Sequence, residues 1–465
     1  MSQTLSPNLQ SEDDNETLRY ESKYANLISY NLDINRAMVS FQSSKHSPIH
    51  RWFKYREGYS EALVKYYIKK LSVKPGKCLD PFAGSGTTAF ASSQFGFDNT
   101  LIELLPIGNF IIKVKISAHS ANQLEVISHI RSFILEKPWK RFEYSQINYI
   151  NITKKAFSLE NDVEIGKFQT YTNTLPKILK DIYDIALLSI LESISFTRKD
   201  GQYLRWDARS GKSLGNFHKG AILSFEEAIV SKLKDIADDL DKEFGLFGEI
   251  YKDNDIGKID VLEGSCLKIM PQLKEDDYEL VFTSPPYANR YDYTRTYALE
   301  LALLGCNDAE IKELRQTMLS CTVENRKKNL INMNPDWRGP SEYAENHPLV
   351  VQLIKRLNEK AAHGNLNNVN IIGMLENYIR EMACIIYEGY RLLKDGGYFV
   401  MVNDNVRYSG LDIPIDLILS EIASYCGFKV VQIDALPIHK GNSSQQMGEH
   451  GKSSLRKCVY IWRKP

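Results

Sequence analysis

Short apolar runs alternate with amphipathic stretches at both ends of this chain, and the alternation breaks in the middle. Lys77 to Asp80 and Asn99 to Ile102 read as strands, and an amphipathic helix begins near Thr87. The pattern resumes at Ile259 to Ser265, and Tyr278 to Phe282 reads as a buried strand ending at Thr283. A helix from about Ile371 to Leu393 is expected to stop at Gly396-Gly397, before a strand over Tyr398 to Val402. A helix from Pro414 to Tyr425 stops at Gly427, and Phe428 to Ile433 and Cys458 to Trp462 are the final strands. Strands alternating with helices predict an α/β sheet. Between these parts lie helical patterns such as Leu175 to Ser193 and Phe225 to Phe244.

The breaks in pattern set the expected domain boundaries. Residues 1–20, with Glu12, Asp13, Asp14 and Glu16, read as a flexible acidic tail. Residues 21–116, 259–306 and 371–465 read as one α/β domain, split by an inserted domain at 117–258 and a polar insertion at 307–370. The run Arg326-Lys327-Lys328 in the second insertion reads as a solvated face.

Composition narrows the class. The 465 residues are 43% hydrophobic and 25% charged, as in soluble globular proteins. No apolar run is long enough to span a bilayer, and no basic-then-apolar leader opens the chain, so a cytoplasmic location is expected. The seven cysteines form no C-x-x-C pair and the nine histidines no H-E-x-x-H spacing, so no metal is expected. Formal net charge is zero, so attraction to a nucleic acid must come from a local basic face.

Three stretches carry candidate chemistry. The first is Asp80-Pro81-Phe82-Ala83-Gly84-Ser85-Gly86-Thr87-Thr88, a strand tip, a glycine turn and a helix start. That is a nucleotide-binding arrangement, in which Gly84 and Gly86 let backbone approach a ligand and Asp80 can accept from it. The next strand ends in Glu103, nineteen residues past Gly84, near where a ribose-binding acid belongs. No Gly-Lys-Ser/Thr follows and the G-x-x-G continuation is missing, which disfavours a P-loop and a nicotinamide dinucleotide site.

The second stretch is Thr283-Ser284-Pro285-Pro286-Tyr287. Two prolines take the chain out of the sheet in a stiff extended loop. The loop offers a hydroxyl, carbonyls and an aromatic face to a planar heterocycle with an exocyclic amine. The third stretch is Phe196 to Gly220, with six Lys/Arg against two Asp. Arg198, Lys199, Arg205, Trp206 and Arg209 interleave cations with aromatics, as phosphate contact and stacking would require; a solvated β-hairpin turning at Asp200-Gly201 is the alternative. Arg290 and Arg295 add donors beyond the proline loop. Upstream, His50 to Tyr59 precedes a helix for which Ser60 is the expected N-cap.

With the first two motifs together, the chain resembles the S-adenosylmethionine-dependent DNA amino-methyltransferases, most closely the N4-cytosine group, whose catalytic loop is usually Ser-Pro-Pro-Tyr. The resemblance covers roughly residues 46–120 and 259–465. It implies a Rossmann-like class I methyltransferase fold: a mostly parallel sheet with an antiparallel last strand, here with a mainly helical insertion. It implies that Asp80 to Thr87, Glu103 and Tyr59 hold S-adenosylmethionine, and that Ser284, Pro285, Pro286 and Tyr287 present the target base. Arg198, Lys199, Arg205, Trp206, Arg209, Arg290 and Arg295 would then contact double-stranded DNA. One departure concerns the adenine contact: Ser265 follows Gly264 where the family commonly has an acid.

The implied chemistry is consistent with the residues. The cofactor supplies an electrophilic methyl group and the protein supplies position. Acceptors at Ser284 Oγ and the Pro285 carbonyl hold the amine hydrogens, and Tyr287 stacks on a base swung out of the duplex. No Pro-Cys pair is present for a C5-cytosine mechanism. A cognate restriction endonuclease acting on the same site would be the partner, in a prokaryotic-type cell. Adenine N6 as the target, an RNA or protein-glutamine methyltransferase, and a non-catalytic DNA-binding protein that kept the fold are the competing readings.

Overall fold

The computed structural model describes residues 15–200, 204–212, 215–241, 257–437 and 455–465. Residues Glu12 to Asp14 of the expected tail, Gly201 of the expected turn and the end of the helix expected to reach Phe244 lie outside them. Twelve strands run in chain order among the described residues: β1 Ile28–Tyr30, β2 Lys77–Asp80, β3 Asp98–Glu103, β4 Thr197–Lys199, β5 Leu204–Trp206, β6 Ile259–Glu263, β7 Tyr278–Thr283, β8 Leu393–Asp404, β9 Val406–Tyr408, β10 Leu411–Ile413, β11 Lys429–Ala435 and β12 Lys457–Arg463.

Eight of them form one sheet in the order β1-β11-β12-β8-β7-β2-β3-β6. β12 is antiparallel to both its neighbours, and every other neighbouring pair is parallel. The expected Rossmann-like sheet with a reversed last strand is therefore the observed one. Burial explains the apolar strands. Leu280, Val281 and Phe282 of β7 are all fully covered, as in a sheet with helices on both faces. β2 and β7 are parallel neighbours, with Cys78 opposite Leu280 and Leu79 opposite Val281. The glycine turn and the proline loop therefore leave the sheet side by side at its carboxyl edge, where open α/β sheets bind ligands.

The inserted segment is mainly helical, with Leu159–Thr172, Lys177–Ile194 and Phe225–Leu240 packed into one apolar cluster with Ile107, Ile111 and Leu299. Its basic stretch is the β4–β5 hairpin, with Arg198 directly opposite Arg205. One buried and one half-buried charge pair tie the hairpin and its neighbouring helix to the rest of the molecule. Lys199 Nζ lies 2.6 Å from Glu300, and Arg56 reaches Glu192 at 2.5 Å and the Lys199 carbonyl at 3.2 Å.

Four expectations are corrected. Residues 15–20 are not tail: Asn15–Tyr24 is a helix with Tyr20 and Tyr24 buried, and β1 follows it. The long helix Asn370–Leu392 does not wait for Gly396-Gly397. The amides of Asp276 and Asp277 bond the Arg391 and Leu392 carbonyls, and β8 starts at once. Ser60 holds the N-cap position of Glu61–Lys70, but its hydroxyl donates to the Met38 carbonyl (3.0 Å) and caps nothing. The region 307–370 has an apolar side: Trp337, Leu349, Leu353 and Leu357 pack on Asn370–Leu392, and Lys328 pairs with buried Glu381 at 2.9 Å.

Candidate active site

The two loops share one anchor, the Asp80 carboxylate at the tip of β2. Its Oδ1 accepts from the Phe82 amide (3.0 Å) and the Thr283 hydroxyl (2.6 Å). Its Oδ2 accepts from the Thr88 hydroxyl (2.5 Å) and the Tyr59 hydroxyl (3.1 Å). The sequence suggested that Asp80 accepts from a ligand; only 1% of it is exposed, and its oxygens are engaged in positioning both loops. Glu103 plays the complementary part at the tip of β3. Its Oε2 accepts from the Gly84 amide (2.6 Å) and its Oε1 from the Leu105 amide (2.7 Å). Burial pushes its carboxyl up to about 7, against the pull of those amides.

The glycines have different reasons. Gly84 has φ +56, and a Cβ there would meet the Tyr55 ring at 2.9 Å. Gly86 has a local reason: it caps the start of the helix Thr87–Ser92 at φ +83, and a Cβ would press on Phe90 and Ile112. Gly108, missed in the sequence, lets its helix close on the loop, since a Cβ would lie 2.6 Å from the Gly84 carbonyl. A lone glycine inside an apolar helical run was the available signal.

A cleft opens over the glycine turn. Its wall includes Tyr55, Glu57, Tyr59, Pro81, Phe82, Ala83, Gly84, Ser85, Thr87, Glu103, Ser265, Ser284, Pro286, Tyr293 and Leu319. Asp80 and Gly86 are absent from it. A second cleft lies across the proline loop, lined by Arg56, Glu57, Arg198, Lys199, Asp200, Arg205, Pro285, Tyr287, Asn289, Tyr291 and Tyr293. The Ser-Pro-Pro-Tyr loop is thus a common wall, with Ser284 and Pro286 toward one cleft and Pro285 and Tyr287 toward the other. Ser284 Oγ donates to the Val402 carbonyl of β8 (3.1 Å) and lies 3.3 Å from the Tyr287 hydroxyl. Its donor spent, the hydroxyl keeps lone pairs to accept with.

Of the seven residues expected at a nucleic acid, Arg198 and Arg205 line the second cleft with exposed side chains. Lys199 also lines it, but its ammonium is buried between Glu300 and the Tyr297 ring (4.3 Å). Trp206 lies under Lys212 (4.2 Å), away from the cleft. Arg209 clamps its own loop through Asp207 (2.7 and 2.8 Å) and the Gly220 carbonyl (2.7 Å). Arg290 sits over Tyr408, and Arg295 is paired with Glu324 and Asp292. Short-range charge counting located the hairpin but could not show which of its cations are spent internally. Tyr55 and Glu57 fall in the His50 to Tyr59 stretch, and Tyr291 and Tyr293 in the aromatic run after the proline loop, but none was picked out by itself, because their convergence is long-range.

A parallel sheet with a reversed last strand, a glycine turn after β2 and a proline loop after β7 defines a class I methyltransferase. Comparison with known proteins narrows this. The chain is 44% identical to the type II methyltransferase M.AvaI of Nostoc sp., and equally to that of Anabaena variabilis, over 452 residues covering 96% of this chain and 92% of theirs. It is 37% identical to the type II methyltransferase M.BsoBI of Geobacillus stearothermophilus over 97% of this chain and 92% of that one. No family model matches. The chain belongs to the type II methyltransferases. Among its described residues, no helix is long and apolar enough to cross a membrane.

Proposed function

We propose that this chain is the modification enzyme of a restriction–modification system, moving a methyl group from S-adenosylmethionine to the N4 amine of cytosine in duplex DNA. The observation that carries the reading is the proline loop as the shared wall of two clefts. One cleft suits the donor. Its lining holds the Glu103 carboxyl and no lysine, arginine or histidine, which suits a cationic ligand. Phe82, Ile102, Leu104 and Leu319 give it an apolar wall for a flat ring. Glu103 would hold the ribose hydroxyls on the lone pairs its two amides leave free. When bound, the cofactor supplies the methyl group in reactive form.

The other cleft suits a base taken out of a duplex. Tyr287 gives it a face, the Pro285 carbonyl accepts one amine hydrogen, Ser284 Oγ accepts the other from the donor side of the shared wall, and Arg198 and Arg205 meet the backbone. Serine before Pro-Pro, where the adenine enzymes more often have Asp or Asn, favours cytosine. The test is methyl transfer from labelled cofactor to duplex DNA, then digestion to nucleosides. N4-methylcytosine is expected; N6-methyladenine would move the target, and no transfer with DNA binding retained would leave a binding protein. Mapping the modified bases also gives the site that a partner endonuclease would have to share.

Two results are expected from the roles above. Diol binding favours ionised Glu103, so cofactor binding should release its proton and strengthen as pH rises through about 7. Affinity at about pH 8 should exceed that at about pH 6 by roughly tenfold, and Glu103→Gln should flatten the profile. A wild-type titration with no such slope removes Glu103 from the ribose. For DNA, Arg198→Ala with Arg205→Ala should lower the slope of log affinity against log salt by about 2. Arg209→Ala should leave that slope unchanged, because its guanidinium is engaged within its own loop. Equal slopes for the double variant and wild type would take the hairpin out of the interface.

A further inference from the structure

Glu57 stands at the junction of the two clefts and lines both. Its Oε2 accepts from the Tyr297 hydroxyl at 2.5 Å and its Oε1 from the Tyr291 hydroxyl. Each oxygen keeps a further lone pair. Tyr55, stacked on Tyr297 with ring centroids 5.1 Å apart, and Tyr293 complete an aromatic surround. The cations that face the carboxyl are Arg56 and Lys199, and both are committed elsewhere, to Glu192 and Glu300. Among the described residues Glu57 has no ion pair of its own. A carboxyl kept among tyrosines, open to two clefts, calls for a use.

Amine methylation supplies one. The nitrogen lone pair forms the N–C bond as the C–S bond breaks, its pair leaving on sulfur. The nitrogen is then cationic and must lose a proton. The proline loop offers a hydroxyl and carbonyls, which accept hydrogen bonds but are too weakly basic to keep that proton. We propose that Glu57 is the proton acceptor of the reaction: its carboxylate takes the amine proton, the N–H pair stays on nitrogen, and the proton leaves to solvent through the second cleft. The inference rests on the amine-methylating function proposed above. Burial holds the Glu57 carboxyl above the usual carboxylate range, against the lowering effect of Tyr297, Lys199 and Arg56, and so strengthens it as a base.

The test uses the full chain, labelled S-adenosylmethionine and duplex DNA carrying the mapped site. Glu57→Gln should slow single-turnover methyl transfer by about a hundredfold while cofactor affinity stays within about threefold. The wild-type rate should rise with pH to a plateau, the Gln variant should be slow and flat, and Glu57→Asp should recover a pH-dependent rate between them. A Gln variant within about threefold of the wild-type rate overturns the assignment. So does a wild-type rate flat from about pH 5 to 9, which needs no variant to fold. So, too, does a loss of cofactor affinity as large as the loss of rate, which would make Glu57 a holder of the cofactor's ammonium group. If the wild type methylates no DNA amine, the proposed function falls and this assignment with it.

Discussion

Replacing Tyr287 with alanine is expected to cut single-turnover methyl transfer by about a hundredfold and to leave cofactor affinity within about threefold. The asymmetry follows from where the ring sits. Tyr287 lines the cleft of the proposed target base and is absent from the wall of the donor cleft. Stacking a base on an aromatic ring contributes about 1–3 kcal/mol, and a small misplacement of the reacting nitrogen adds a further loss. Tyr287→Phe keeps the ring and removes only the hydroxyl beside Ser284, so it should retain most of the rate. Rapid-quench transfer and a cofactor titration on the three proteins decide the matter. If alanine weakened cofactor binding as much as it slowed transfer, Tyr287 would belong to the donor side instead.

Asp80→Ala should do the opposite, damaging binding of the donor and the fold around it. Four donors lose their acceptor at once: the Phe82 amide and the hydroxyls of Thr283, Thr88 and Tyr59. They lie at a fully buried point, where each stranded group costs about 1–3 kcal/mol; hydroxyls can re-pair among themselves, so roughly 3–5 kcal/mol in total is expected. The Phe82 amide begins the glycine turn and Thr283 begins the proline loop, so both clefts lose their common support. Cofactor affinity should fall at least about tenfold and the melting temperature by several degrees. Asp80→Asn, which keeps the shape and one acceptor, should lie between. Equal cofactor affinity in wild type and Asp80→Ala would end the idea that this carboxylate organises the site.

What could be read in the sequence was what is local. β2 and β7 were legible because each is a short apolar run ended by residues that cannot continue it. The meeting of Gly84 with Ser284 was inferred from resemblance, and the register of β2 against β7 gives its physical cause. Asp80 was seen but misread, since its partner Thr283 lies 203 residues away and no local pattern shows a carboxylate already satisfied. Lys199 is the same case, with its partner Glu300 101 residues on. Arg209 failed for the reverse reason: its partner Asp207 is so close that the pair reads as two surface charges. β1 escaped because three residues, Ile-Ser-Tyr, form no period; their strand exists only because β11 offers an edge.

The placing of β12 between β8 and β11 bears on how the molecule assembles. Until Lys457–Arg463 has left the ribosome, two long apolar strands face each other across a gap that nothing earlier in the polypeptide can fill. Because β8 and β11 are themselves made late, the nascent protein carries those open edges only over the last part of its synthesis, a state prone to sticking to other chains. Removing β12 should therefore yield insoluble protein rather than a weakened enzyme.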